Sequence, residues 1–185
     1  MRRPIPINVP NTLTLLRILL TPLFAIFLIK HLLNFALLVF AIAALSDGVD
    51  GLVARLFRQK TTLGAFLDPA ADKLLLVTAF VTLSIQELIP SWLAVIVITR
   101  DVIILSGVAL FTITGSAFVP KPSILSKITT VAQVACVLFV LVRHNAPEIA
   151  HPHIQSPLFW FAAGMTMVSG LQYIYRGLNI LQEES

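Results

Sequence analysis

Charge is scarce in this chain. Only 12% of its 185 residues are Asp, Glu, Lys or Arg, against about 25% in a soluble globular domain. So few charges cannot give a solvated surface, which excludes an ordinary soluble fold. Cysteine is nearly absent as well. The single Cys136 excludes a disulfide framework within the chain, and in its apolar run it reads as a buried, inert thiol. Repeats, low-complexity segments and a soluble appendage are missing. Basic residues exceed acidic ones, for a net charge of +4, but they are dispersed. That spread excludes a nucleic-acid patch and suits anchors at a membrane surface.

What is present is apolar, at 57% of residues. Six segments approach or exceed the roughly 20 residues that cross a bilayer as a helix: Leu13–Ile29, Leu33–Leu56, Leu63–Ile85, Ser91–Phe111, Ser123–Val142 and Pro157–Leu178. The first follows Arg2 and Arg3 and is longer than a signal-peptide core, so it reads as a retained span. Asn11 or Thr12, after Pro10, is a plausible N-cap for it. Connections are short and carry breakers, including Pro90, Gly115 and Pro122. The expectation is an all-α, polytopic integral membrane protein with six transmembrane helices, one membrane domain over residues 1–185.

Lys and Arg in the loops set the orientation. With the N-terminus inside, the cytoplasmic side collects Arg2, Arg3, Arg55, Arg58, Lys60, Lys121, Lys127 and Arg176, and the other side only Lys30 and Arg143. Both termini are therefore expected in the cytoplasm.

Against this apolar background stand Asp47, Asp50, Asp68 and Asp72, four of only nine carboxylates in the chain. A carboxylate at bilayer depth costs roughly 2.5 kcal/mol or more on insertion scales. Asp47 and Asp50 are three residues apart, Asp68 and Asp72 four apart, so on helices each pair shares a face. The tight basic turn between the two spans makes them antiparallel neighbours and lets the pairs converge near the cytoplasmic interface. Two divalent cations are the economical compensation, and all-oxygen ligands favour Mg²⁺ or Mn²⁺. Gly48, Gly51 and Gly64 cost helix propensity, roughly 1 kcal/mol each against alanine. In return they allow close approach of a helix or ligand. Ala54 extends the small face and Arg55 supplies a cation suited to phosphate. Small residues on a span are commonly packing contacts, and a lone intramembrane Asp could be structural or part of an ion path. The spaced set as a whole points to a metal site.

The pattern Asp-x2-Asp-Gly-x2-Ala-Arg-x8-Gly-x3-Asp-x3-Asp, here Asp47, Asp50, Gly51, Ala54, Arg55, Gly64, Asp68 and Asp72, resembles the signature of the CDP-alcohol phosphatidyltransferases. The resemblance extends to Asn8-x-Pro10-Asn11-x-Leu13-Thr14-x-x-Arg17, to Leu67-Asp68-Pro69-Ala70-Ala71-Asp72-Lys73, to Arg100-Asp101, and to Ser126-Lys127 with Gln133. It implies a single displacement in which an alcohol hydroxyl attacks the lipid-side phosphorus of a CDP-lipid and CMP leaves. By resemblance, the four aspartates carry two metals and Asp72 is also the general base. Asp50, Gly51, Ala54, Arg55 and Gly64 line the CDP site, and the enzyme is a homodimer.

Within that family the chain resembles phosphatidylglycerophosphate synthases, which use glycerol 3-phosphate, and equally the CDP-alcohol-type cardiolipin synthases, which use phosphatidylglycerol. The former is taken as the leading expectation. Either acceptor brings a phosphate, so Arg100, Lys127 and Arg17 are candidate contacts, with Lys73 a weaker one. Arg100 could instead pair with Asp101, and Lys127 could snorkel to the interface. Two departures favour the phosphodiester. No cation follows Arg100 across Val102–Leu110, and Ser126-Lys127-Ile128-Thr129-Thr130 lacks the second lysine usual in the synthases of the first group.

Two other classes use related chemistry. Intramembrane prenyltransferases have aspartate motifs of different spacing and more spans. A transporter would scatter its aspartates along a path rather than cluster them on consecutive helices. His31, His144, His151 and His153 fall in loops on the opposite side from the aspartates, and Trp92 and Trp160 lie near span ends as interface anchors do.

Overall fold

The computed structural model describes residues 9–57, 62–113 and 123–183, with side chains described for 14–46, 71–109 and 123–179. It contains α1 (Val9–Ile29), α2 (Leu33–Phe57), α3 (Thr62–Ile85), α4 (Ser91–Ile113), α5 (Ile124–Asn145) and α6 (Pro152–Glu183), with no strand among the described residues. The all-helical expectation holds. Ser91–Ala109 and Ile124–Asn145 are long and apolar enough to cross a bilayer, and Thr14–Ile29 and Leu33–Ser46 are shorter apolar stretches.

Two boundaries differ from the sequence reading. α1 begins at Val9 rather than beyond Pro10, because proline in a first turn lacks only an N–H that has no helical partner there. α6 begins at Pro152 and contains Pro157. Pro157 is the sixth residue of α6, so the His153 carbonyl lacks its usual helical donor.

The chain forms two compact units, Met1–Thr82 and Leu83–Ser185. In the first, α1 packs on α2. The buried stripe of α1 is Thr14, Arg17, Thr21, Phe24 and Leu28, a three-four spacing that keeps one face inward. Its C-terminal half is apolar: Phe24 meets Phe40 with ring centroids 5.3 Å apart. Its N-terminal half is polar, and Thr21 Oγ1 donates to the Arg17 carbonyl at 2.9 Å. Pro22 sits within this helix, so the Ile18 carbonyl lacks its usual helical donor.

The α1–α2 turn closes on His31 at φ 56°. His31 N–H donates to the Leu28 carbonyl and Leu32 N–H to the Phe27 carbonyl, both at 2.8 Å. This is a Schellman cap with a non-glycine residue in the left-handed position. The α3–α4 turn repeats it at Glu87, φ 59°, with Glu87 N–H on Ser84 and Leu88 N–H on Leu83.

In the second unit α6 packs on both α5 and α4. Thr129 Oγ1 donates to the Met165 carbonyl at 3.0 Å and Cys136 Sγ to the Leu158 carbonyl at 3.6 Å. Rising residue numbers on α5 meet falling ones on α6, so these helices are antiparallel. Trp92 stacks on Trp160, Arg100 meets Ser169, and the Cβ position of Gly107 lies 3.4 Å from the Tyr173 ring. Both series rise together, so α4 and α6 are parallel.

The interior is largely apolar, with Phe24, Phe40, Phe80 and Leu141 buried, but the surface and the buried charges differ from those of a soluble bundle. Arg17, Arg100, Asp101, Thr129, Gln133, Thr166 and Ser169 are buried, while Leu19, Leu45, Ile85, Val131, Phe161 and Leu171 are exposed. A helical surface this apolar suits a lipid environment.

Candidate active site

Asp47, Asp50, Gly51, Ala54 and Arg55 lie on the helical backbone of α2, and Gly64, Asp68 and Asp72 on that of α3. The helical spacing expected for each aspartate pair is therefore present in the backbone. The side chains of residues 47–57 and 62–70 lie outside the described set, and so does the expected convergence of the two pairs. Among the described residues no three metal-ligating side chains cluster, and three of the four aspartates fall outside them.

Asp72 is the member whose side chain is described. It is 33% exposed and forms an ion pair with Arg17, which is 1% exposed. Arg17 NH1 donates to Asp72 Oδ1 across α1 and α3. An arginine guanidinium stays protonated, and burying it without an anion would be severely unfavourable. The contact explains how α1 accommodates a charge in an apolar helix. Sequence reading places Arg17 among the acceptor contacts and misses this pairing. The available signal is its place in the stripe of Thr14, Thr21, Phe24 and Leu28, which marks an inward side chain.

The aspartate set supplies only oxygen donors, the type hard divalent ions take. Asp72 is half-buried and already faces a positive charge. The oxygen donors fit a divalent ion, whereas the guanidinium is a competing counter-charge at Asp72.

A second polar centre lies in the unit formed by α4, α5 and α6. Arg100 is 4% exposed and donates through NH1 to Asp101 Oδ1 at 2.8 Å. NH2 donates to Ser126 Oγ at 2.7 Å and to Ser169 Oγ at 2.9 Å. Its Nε has no hydrogen-bond partner among the described residues. Gly170 packs against this side chain: a Cβ there would lie 3.5 Å from Arg100 Cγ, an ordinary van der Waals contact. The expected alternative for Arg100, pairing with Asp101, is thus realised.

Ser126 belongs to the first turn of α5, whose N-cap is Ser123: Ser126 N–H donates to Ser123 Oγ at 3.1 Å. Lys127, the next residue, is exposed. From the level of Arg100, α4 continues to Ile113 and α6 from Ser169 to Glu183, so both extend about 20 Å beyond it at 1.5 Å per residue. Arg100 and Lys127 therefore mark the level where α5 begins beside two longer helices. A buried polar seam follows along α5: Gln133 Nε2 donates to Thr166 Oγ1 at 3.1 Å, and Thr166 Oγ1 to the Ala162 carbonyl at 2.6 Å.

Charged side chains held inside an apolar-surfaced helical scaffold define a class, the membrane proteins that handle charged groups. Comparison with known proteins resolves that class to an enzyme. The chain belongs to the CDP-alcohol phosphatidyltransferase family, whose model matches residues 7–168. It is 34% identical over 193 aligned residues to a CDP-diacylglycerol–glycerol-3-phosphate 3-phosphatidyltransferase of Bacillus subtilis (strain 168), covering 95% of this chain and 97% of the relative. It is 36% identical over 177 aligned residues to the enzyme of the same name from Salmonella typhimurium, covering 90% and 93%. To a cardiolipin synthase (CMP-forming) of Homo sapiens it is 33% identical over 195 aligned residues, covering 96% of this chain and 64% of that one.

Proposed function

We propose that the protein is a multi-pass membrane enzyme of phospholipid synthesis. It transfers the phosphatidyl group of CDP-diacylglycerol to the hydroxyl of glycerol 3-phosphate and releases CMP. The observation that carries this reading is the spaced aspartate set on α2 and α3, in a chain matching phosphatidylglycerophosphate-forming relatives over nearly its full length. All six helices act as spans, with both termini and the aspartate site at the cytoplasmic side of the membrane. The working form is a homodimer.

Asp47, Asp50, Asp68 and Asp72 hold two divalent ions, Mg²⁺ or Mn²⁺. When bound, the ions supply charge stabilisation for the entering and leaving oxygens of the displacement. Gly51, Ala54, Arg55 and Gly64 line the CDP half of the donor, where small residues let the backbone approach and Arg55 pairs with phosphate. Asp72 accepts the hydroxyl proton as the new P–O bond forms. The bond between the lipid-side phosphorus and the oxygen of CMP breaks, and CMP departs with that electron pair. Arg100 and Lys127 are the candidate contacts to the acceptor phosphate, Lys127 being the exposed one of the two.

A second acceptor, phosphatidylglycerol, is favoured by one observation: Arg100 is already engaged by Asp101, Ser126 and Ser169. A singly charged phosphodiester needs less cationic contact than a phosphomonoester. The test is CMP release from CDP-diacylglycerol with Mg²⁺ or Mn²⁺, supplied with each acceptor in turn. Turnover with glycerol 3-phosphate, lost in Asp72→Asn while that variant inserts and folds, supports the leading reading. Turnover with phosphatidylglycerol alone replaces it with the second.

A further inference from the structure

Two rival counter-charges meet at Asp72. As a metal ligand, this carboxylate answers to a divalent ion. In the structure it answers to Arg17, whose side chain is 1% exposed and whose guanidinium pairs with it. Arg17 belongs to the buried stripe of α1 with Thr14 and Thr21, and its backbone carbonyl accepts from Thr21 Oγ1 at 2.9 Å. It is therefore built into the helix packing rather than lying on the surface. A guanidinium cannot shed its charge, and a carboxylate on an apolar helix is unfavourable without a cation.

We propose that Arg17 is the resident counter-cation of Asp72. It holds the carboxylate in position before the metals arrive, and a divalent ion has to displace it from Asp72 or share that carboxylate with it. Arg17 is then a positioning residue that sets metal affinity, not a contact to the acceptor phosphate. This rests on the reading of Asp72 as a metal ligand. The physical reason is direct: a fixed positive charge beside a cation site repels the incoming ion, so it lowers affinity while keeping the empty site intact.

The test measures Mn²⁺ binding to detergent-solubilised protein by the electron paramagnetic resonance signal of free Mn²⁺, with thermal unfolding in EDTA and in Mn²⁺. Arg17→Gln is expected to bind Mn²⁺ roughly tenfold more tightly, since a repelling charge is gone. It is also expected to unfold earlier than wild type in EDTA, with the gap narrowing in Mn²⁺. Should Arg17→Gln fail to fold, Arg17→Lys serves. Its ammonium keeps the charge without the bidentate fork, so Mn²⁺ displaces it more easily, with affinity up by about threefold. Affinity unchanged or weakened in the Arg17 variants, with equal destabilisation in EDTA and Mn²⁺, is the signature of a merely structural arginine and overturns the proposal. Asp72→Asn separates the two levels. If it binds Mn²⁺ as wild type does, Asp72 is not a ligand and both readings fall. If it binds weakly while the Arg17 variants do not tighten, only the counter-cation fails.

Discussion

Arg100 donates to the Asp101 carboxylate at 2.8 Å with both side chains 4% exposed, so neighbouring residues on α4 carry a charge pair into the interior of their unit. The same guanidinium reaches Ser126 on α5 and Ser169 on α6 and so ties three helices together. Removing one partner of a buried pair costs about 3–5 kcal/mol, because the other charge is left uncompensated. Asp101→Asn is therefore expected to lower the thermal midpoint in detergent sharply. The double variant Arg100→Leu with Asp101→Leu recovers most of that loss. A midpoint for Asp101→Asn equal to wild type would show that the pair contributes nothing to stability.

The cap at Glu87 gives a prediction of opposite sign. A non-glycine residue at φ 59° carries a steric penalty of about 1–2 kcal/mol, while glycine adopts that region freely at some cost in chain entropy. Glu87 is exposed, so no packing is lost on truncation. Glu87→Gly is expected to raise stability by about 0.5–1 kcal/mol, and Glu87→Val to lower it by more. Denaturant unfolding of the two variants in one detergent checks the order; Val above Gly contradicts it.

The legibility of this chain divides along physical lines. Hydrophobic run length predicts each of the six helices, because an apolar stretch of this length has few other ways to satisfy its backbone. Their starts shift where proline is involved: the sequence reading begins the first span beyond Pro10 and the sixth at Pro157, whereas α1 begins at Val9 and α6 at Pro152. The aspartate set is visible because carboxylates are rare here, and its helical spacing survives in α2 and α3. Partners of single charges are less legible. Arg17 reaches Asp72 across 55 residues, and neither residue's sequence neighbours name the other. The seam of Thr129, Gln133 and Thr166 stays hidden for a similar reason. Polar residues in an apolar helix show that a partner exists without showing where.

Lys127 offers a prediction about the acceptor. It is exposed beside Ser126, which binds the already neutralised Arg100. Its charge is thus better placed than that of Arg100 to meet an incoming phosphate. Exposed substitutions away from caps and cores change stability by about 0.5 kcal/mol or less. Lys127→Gln is therefore expected to fold as wild type and to raise KM for the acceptor about tenfold, the loss of one charged contact. KM for CDP-diacylglycerol should stay constant. A lysine that merely snorkels leaves both constants where they were.

Cys136 makes the membrane orientation testable. It is the single cysteine of the chain, it is fully buried, and its Sγ donates to the Leu158 carbonyl at 3.6 Å. The wild-type protein is therefore expected to resist membrane-impermeant maleimides while folded and to label once denatured. That silence provides a background for placed cysteines, and Cys136→Ala removes even the residual thiol at about 1 kcal/mol. In that background, a cysteine replacing Gln59, in the α2–α3 connection, is expected to label only from the cytoplasmic face. One replacing His144, at the end of α5, should label only from the opposite face. The proposed orientation puts Arg55, Arg58 and Lys60 on the cytoplasmic side, where the excess of Lys and Arg favours them. Labelling of both positions from the same side would remove the odd number of spans between them, and with it the six-span topology. Labelling from opposite sides in the reversed sense would keep the spans and move the aspartate site away from the cytoplasm.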